Sequence, residues 1–311
     1  MSPSLEAVGL TKKFGQFTAL SQLNLKLTGA KCVGFLGPNG AGKTTTMKLF
    51  TGLIRASSGT ALVDGVDVSK DKKAALATCA SLIETPEIYP SLTPREALTM
   101  LAEIRGVAHE ERTKRIDEAI GRVKMQEWED KKVGSFSKGM KQRVNVASTL
   151  VNEPDVVILD EPTTGLDPRG MSEVRDIVKS LDDRLVFMSS HLLAEVTEVC
   201  QEVAVVDHGK LLIYDSISNV TDRFSGSRGI VEVGFSTDVD DSVRVKIAAL
   251  PGVQSVEKST SRQLTVKFTA GNDAQAKLFE QIGAMKIGAM SFKETSSGLE
   301  DAYLKLVKET L

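Results

Sequence analysis

The run "KCVGFLGPNGAGKTT", residues 31–45, restricts what this chain can fold into more than any other stretch. A short apolar segment from Lys31 to Leu36 gives way to a loop holding Gly37, Gly40 and Gly42, and then to "GKTTTMKLFTGL". The first reads as a buried strand and the last as a helix. Gly37, Pro38, Asn39, Gly40, Ala41, Gly42, Lys43 and Thr44 fill the pattern GxxxxGK[ST], with Thr45 next in line. Glycine lets the backbone come close enough for several N–H groups to converge on a polyphosphate. Lys43 has the length to reach β- and γ-phosphates, and the Thr44 hydroxyl is a ligand suited to Mg2+. Strand, glycine loop and helix in that order begin an α/β fold with a nucleotide site.

A second apolar run, "VVILDEP" at 156–162, supplies an acidic partner. Strands of a parallel sheet are apolar on both faces, and ligands bind at their carboxyl ends. Asp160 would hold Mg2+ through water, and Glu161 would polarise the water that attacks a γ-phosphate. Between the two runs the period becomes helical. Thr93, Pro94 and Glu96 provide an N-cap, a first-turn proline and a capping-box glutamate. Ile116, Ile120 and Val123 recur at helical spacing, as do Met140, Val144, Ala147 and Val151. Residues 5–35 alternate as antiparallel strands, and strands return in "RLVFMSS" and "EVAVVDHGKLLIYDS". A helical insertion over about residues 90–151 therefore interrupts an α/β core.

At 311 residues the chain exceeds the ~250 at which single cores stop growing, so two domains are expected. The polar stretch "NVTDRFSGSRG", 219–229, reads as a linker, giving domains at 1–220 and 221–311. The second domain reads β-α-β-β-α-β-α, which suggests a ferredoxin-like accessory unit. It carries no cluster of catalytic residue types. Leu299, Tyr303 and Leu306 share one face of its closing helix, more a core stripe than a docking site. A formal net charge of -2 offers nucleic acid no general attraction, so no nucleic-acid partner is expected. No stretch approaches the ~18 apolar residues of a spanning helix, and the N-terminus lacks a signal core. The chain reads as soluble, with any membrane role exercised through a partner. Cys32, Cys79 and Cys200 lie far apart in sequence with no CxxC pair, and read as buried thiols of a reducing compartment.

The stretch "VGSFSKGMKQR" completes the set. Ser137 can cap a helix whose N-terminal N–H groups and dipole then favour an anion. "FSKGM", followed by the acidic strand and then "GLDP", resembles the ABC-type ATPases, in which this turn is the signature motif, most often written LSGGQ. Ser137, Lys138, Gly139 and Met140 are its counterparts. The resemblance covers about residues 5–220 and rests on six motifs in order. It implies the P-loop ABC-ATPase fold: a RecA-like core, an antiparallel β subdomain and a helical insertion. It also implies that the Ser137 turn faces the γ-phosphate held by a second copy. Phe14, in "LTKKFGQFTAL", stands where an aromatic ring stacks on adenine, the alternative being a core phenylalanine. The resemblance has Asp167 of "TTGLDP" contact the other subunit, and His191, at a strand end, contact the γ-phosphate. Glu84 stands, by register, where the family usually carries glutamine. Glutamate keeps an oxygen for Mg2+ or water but loses the amide donor, and its charge should raise dependence on Mg2+. The alternative is a plain surface carboxylate.

The resemblance thus implies the ATPase subunit of an ABC transporter. Two subunits, as a homodimer or heterodimer, would close around two ATP molecules with Mg2+, and hydrolysis would reopen them. The helical insertion would pass the movement to a separate transmembrane permease, holding the chain at the cytoplasmic face of the membrane. "IETP" and the ending "SSGLEDAYLKLV" resemble exporter subunits, the former those for lantibiotic and bacitracin-type peptides. A soluble ABC ATPase acting in translation, at DNA ends or in iron–sulfur assembly is the alternative. Only one GxxxxGK[ST] is present, and Lys43 and Asp160 are too close in sequence for the long coiled coils of DNA-end relatives. A regulator without turnover is disfavoured by Glu161 and His191, and a GTPase by the lack of NKxD.

Overall fold

The computed structural model describes residues 2–84, 88–225, 228–269 and 272–294, with Tyr303 and Leu306. The chain divides into two compact units, Met1–Ile217 and Ser218–Leu311.

The first unit holds two sheets. One is antiparallel, built from β1 (Ser4–Phe14), β2 (Phe17–Thr28), β4 (Ser58–Val63) and β5 (Val66–Asp67) in the order β2-β1-β4-β5. In β2, Leu23, Leu25 and Leu27 are buried while Asn24, Lys26 and Thr28 are exposed, the period-2 signature of a strand with one wet face. The other sheet contains β3 (Lys31–Leu36), β6 (Cys79–Leu82), β7 (Val156–Asp160), β8 (Leu185–Ser190), β9 (Glu202–Asp207) and β10 (Lys210–Ser216). Its order is β10-β9-β3-β8-β7-β6, parallel except for the antiparallel edge strand β10. Every residue of β7 and β8 is buried, as expected of strands covered on both faces.

Helix α1 (Lys43–Phe50) follows β3 directly. Its Met47 and Phe50 join β2 leucines and sheet residues Val33, Phe35 and Phe187 in one core. Phe187 contacts Phe35 and Phe50 with ring centroids 5.0 and 6.0 Å away, tilted and edge-on, the geometry aromatic quadrupoles favour. After the short α2 (Lys72–Ala75), the helical stretch comprises α3 (Pro94–Ile104), α4 (His109–Arg122) and α5 (Lys138–Leu150). The capping box at α3 is closed in both directions: Glu96 N–H to Thr93 Oγ1 at 3.1 Å, and Thr93 N–H to a Glu96 carboxylate oxygen at 2.8 Å. Such a cap contributes about 1 kcal/mol. Ile116, Ile120 and Val123 are buried, as are Val144, Ala147 and Val151, with Met140 half-buried at the start of its stripe. α6 (Pro168–Lys179) and α7 (Leu193–Val199) alternate with the last strands.

Helix α8 (Ile217–Ser225), all but its first residue in the second unit, lies where the sequence suggests a linker. Among its described side chains, Ser218, Asn219 and Arg223 are exposed, whereas Val220 is fully buried. A polar stretch with one apolar position per turn is an amphipathic helix, and glycine content alone misreads it. Next come β11 (Arg228–Phe235), α9 (Asp241–Ala248), β12 (Val253–Thr260), β13 (Gln263–Thr269), α10 (Asn272–Ala284) and β14 (Ala289–Glu294). The sheet order β12-β13-β11-β14 is the ferredoxin-like arrangement. Val231, Val233, Leu264 and Val266 of the sheet pack with Ile247, Leu278 and Ile282 of the two helices. The closing helix expected from the sequence, Leu299 included, lies mostly outside the described residues; Tyr303 and Leu306 are helical and Leu306 is buried.

The three cysteines are buried free thiols. Distance in sequence is no guide to distance in space here: the sulfurs of Cys32 and Cys200 are 3.3 Å apart.

Candidate nucleotide and hydrolysis site

The loop between β3 and α1 needs its glycines. Gly40 and Gly42 have φ of +85° and +101°, the left-handed region that side chains avoid. A Cβ on Gly37 would lie 2.3 Å from the Val206 carbonyl oxygen, and one on Gly42 2.7 Å from that of Ala19. The Gly42 carbonyl accepts both the Thr46 N–H and its hydroxyl at 2.9 Å, anchoring the first turn of α1. Lys43 is only 5% exposed. Its ammonium donates to the Gly37 and Pro38 carbonyls at 2.8 and 3.2 Å and lies 3.4 Å from Glu161 Oε1. Thr44 and Thr45 are half-buried, Ala41 is buried, and Pro38, Asn39 and Gly40 are exposed.

At the end of β7, Asp160 is buried and its Oδ1 accepts the Ser189 hydroxyl at 2.6 Å. Glu161 turns sharply, with φ of +44°. Its N–H donates to Ser189 Oγ at 2.9 Å, and its Oε2 accepts the Thr164 hydroxyl at 2.8 Å. His191 Nδ1 is 3.1 Å from the same Oε2. Burial pushes the Glu161 carboxyl up, but the Thr164 hydroxyl, Lys43 and His191 outweigh it and hold the group below its usual range. Lys43, Glu161 and His191 thus meet from the ends of three elements, with Asp160 alongside.

Residues that pattern reading passes over tie this place together. Ser189 is one. Glu195, on α7, is 2% exposed and accepts the hydroxyls of Thr163 and Ser190, each at 2.5 Å, linking the loop after β7 to the end of β8. Gln142 of α5 donates to the Pro162 carbonyl at 2.7 Å, linking the helical stretch to the same loop. Both "VVILD" and "RLVFMSS" are apolar runs that end in polar residues, and their parallel pairing puts Asp160 beside Ser189.

The other predicted residues stand apart. Ser137 caps α5 through the Met140 N–H at 3.2 Å, and Ser137 and Lys138 are exposed. Gly139 comes close to Gly170, so a Cβ on it would lie 3.4 Å from the Gly170 Cα. Among the described residues, no hydrogen bond or ion pair joins Ser137, Lys138, Gly139 or Met140 to the glycine loop. Asp167 caps α6 through the Gly170 N–H at 2.7 Å, a role within its own chain. Phe14 is 50% exposed, with the Lys12 ammonium 4.8 Å above its ring, so it is not a core phenylalanine. Glu84 has φ of +61° and pairs with Lys48 at 2.5 Å, one helical turn beyond Thr44. Thr85 and Pro86 of the "IETP" stretch lie outside the described residues.

The ABC transporter family model matches residues 20–164, which span the glycine loop, the Ser137 turn and the acidic strand. The bacitracin transport ATP-binding protein BcrA of Bacillus licheniformis is 40% identical over 215 residues, 68% of this chain and 69% of the relative. The chain belongs to the ABC transporter ATP-binding proteins. YdbJ of Bacillus subtilis, an uncharacterized ABC transporter ATP-binding protein, is 35% identical over 306 residues, 97% of this chain and 95% of its own length. The fold agrees with that of the ATP-binding cassette MJ0796, solved as a dimer in a post-hydrolysis state with ADP and Pi. Its TM-score is 0.61 at 21% identity, over 68% of this chain and 98% of that one. The protein is therefore an ABC ATPase, the ATP-binding subunit of an ABC transporter. Among the described residues of this ABC ATPase, no helix is long and apolar enough to cross a membrane.

Proposed function

We propose that this ABC ATPase powers the export of a peptide antibiotic or similar compound through a separate membrane permease. Two copies would close around two ATP molecules at the cytoplasmic face of the membrane. The observation that carries the catalytic part is the Glu161 carboxylate, 3.4 Å from the Lys43 ammonium and 3.1 Å from His191 Nδ1. An ionised carboxylate beside the phosphate-binding lysine is the arrangement a hydrolytic base requires. Lys43 and the N–H groups of the glycine loop bind the phosphates, with the adenine stacked on Phe14. Glu161 orients the attacking water and draws its proton as the oxygen bonds to the γ-phosphorus and the bond to ADP breaks. His191 donates to the γ-phosphate and holds its orientation.

The residues fit a hard divalent cation. Thr44 offers a hydroxyl at the start of α1, and Asp160, with Oδ1 taken by Ser189, offers Oδ2. Mg2+ held there would neutralise charge on the β- and γ-phosphate oxygens. Glu84 would offer an oxygen to that cation or its water, with Lys48, its partner in the structure, offsetting the charge it adds. Ser137, Lys138, Gly139 and Met140 complete the γ-phosphate site of the second copy, with Asp167 at the same interface. The dimeric cassette of the same fold supports this, and the name of the bacitracin relative supports the substrate class.

The test is Glu161→Gln. Hydrolysis should fall by about 100-fold or more, with ATP binding retained. An unchanged rate would make the chain a nucleotide-responsive regulator instead.

A further inference from the structure

We propose that Ser189 is a positioning residue for hydrolysis, fixing with one hydroxyl both the carboxylate of Asp160 and the backbone of Glu161. The inference rests on the roles given above to those two acids. Ser189 is fully buried at the end of β8, and the parallel register sets it beside Asp160. A serine hydroxyl has a single proton, and an ionised carboxylate only accepts. The proton therefore goes to Asp160 Oδ1, 2.6 Å away, and the oxygen is left to accept the Glu161 N–H at 2.9 Å. Both bonds fix the direction of the hydroxyl.

Each bond has a consequence. The first sets the rotation of the Asp160 carboxylate and reserves Oδ2 for the shell of a cation. The second stabilises Glu161 in the left-handed region, at φ +44°, a conformation that residues with a Cβ disfavour. That turn is what sends the Glu161 side chain between Lys43 and His191. Ser190, the next residue, faces the opposite way, as alternate strand residues must, and donates to Glu195 instead. The two serines are thus not interchangeable.

The test compares wild type, Ser189→Ala, Ser189→Cys and Glu161→Gln. Two quantities are read: ATP hydrolysis as a function of Mg2+, and affinity for a fluorescent trinitrophenyl ATP with and without Mg2+. Ser189→Ala should lower kcat about ten-fold. Its affinity without Mg2+ should stay within about two-fold of wild type, while the Mg2+ needed for half-maximal effect rises several-fold. Ser189→Cys, with a weaker donor, should fall between the two. If the alanine variant fails to fold, the cysteine variant decides on the same readouts. Unchanged kcat and Mg2+ demand overturn the inference, as does an equal loss of affinity with and without Mg2+, which marks mere structural damage. Should Glu161→Gln keep the wild-type rate, the underlying reading of the acids falls, whatever Ser189 does.

Discussion

Two helices of this chain start where an anion can be held, and they are finished differently. At α1 the start is folded into the protein: Lys43 is buried and surrounded by two carbonyls of its own loop and by Glu161. At α5 it lies on the surface, with Ser137 and the cation Lys138 exposed. Neither has an acidic residue in its first turn, whereas α3 carries Glu96 and α4 carries Glu110 and Glu111. An acid there complements the helix dipole, and a cation opposes it. α1 has Glu161 nearby to offset this, while α5 has only its serine cap. On the proposed reading, one half of the site is built within the chain, while the other half meets an anion brought from elsewhere.

The largest effect should come from breaking the complete half. Lys43→Ala removes the buried ammonium, so hydrolysis should be lost, and ATP affinity should weaken by about 2–3 kcal/mol as a charged donor disappears. Isothermal titration with ATP checks this. Breaking the other half should read differently. Ser137→Ala removes a cap worth about 1 kcal/mol, visible as a lower melting temperature. ATP binding to the single copy should be unchanged while ATP-dependent dimerisation weakens, as light scattering would show.

The charge state of Glu161 sharpens the same contrast, because it depends on residues of the complete half alone. Burial acts to raise its carboxyl, but the Thr164 hydroxyl, Lys43 and His191 prevail and keep it low. The carboxylate therefore stays ionised to a lower pH than an ordinary glutamate, and the acid limb of kcat/KM should lie correspondingly lower. Thr164→Val deletes the largest lowering contribution, so the limb should move to higher pH. The stability Glu161 adds is present above its unfolded value and lost as pH falls through the lowered folded one. The smallest effect belongs to Glu84→Gln. Lys48 already offsets that carboxylate, which is 67% exposed, so hydrolysis should change by no more than about three-fold, with a slightly lower demand for Mg2+.

What could be read in the sequence was local. The glycine loop, the capping box at Thr93 and Glu96 and the wholly apolar strand before Asp160 each follow from a few adjacent residues, and each is found as expected. What could not be read was long-range or depended on a second role for a residue. The Ser189 bond to Asp160 spans 29 residues, and the Cys32–Cys200 contact spans 168. Both depend on which strands lie side by side, a property of the whole sheet. Asp167 caps α6, and Lys12 lies over Phe14, because side chains satisfy near neighbours as well as distant ligands. The helix at 217–225 was hidden because its sequence is mostly polar, although Val220 is fully buried.

The contrast between the two helix starts comes down to whether a second copy supplies the Ser137 turn. Sedimentation equilibrium of the Glu161→Gln protein with saturating ATP and Mg2+ tests this most directly, with and without Ser137→Arg to block the turn. The expected result is the mass of two chains with ATP, one chain without it, and one chain when Ser137→Arg is added. A single-chain mass under every condition, or an ATP-dependent dimer indifferent to Ser137→Arg, would contradict it.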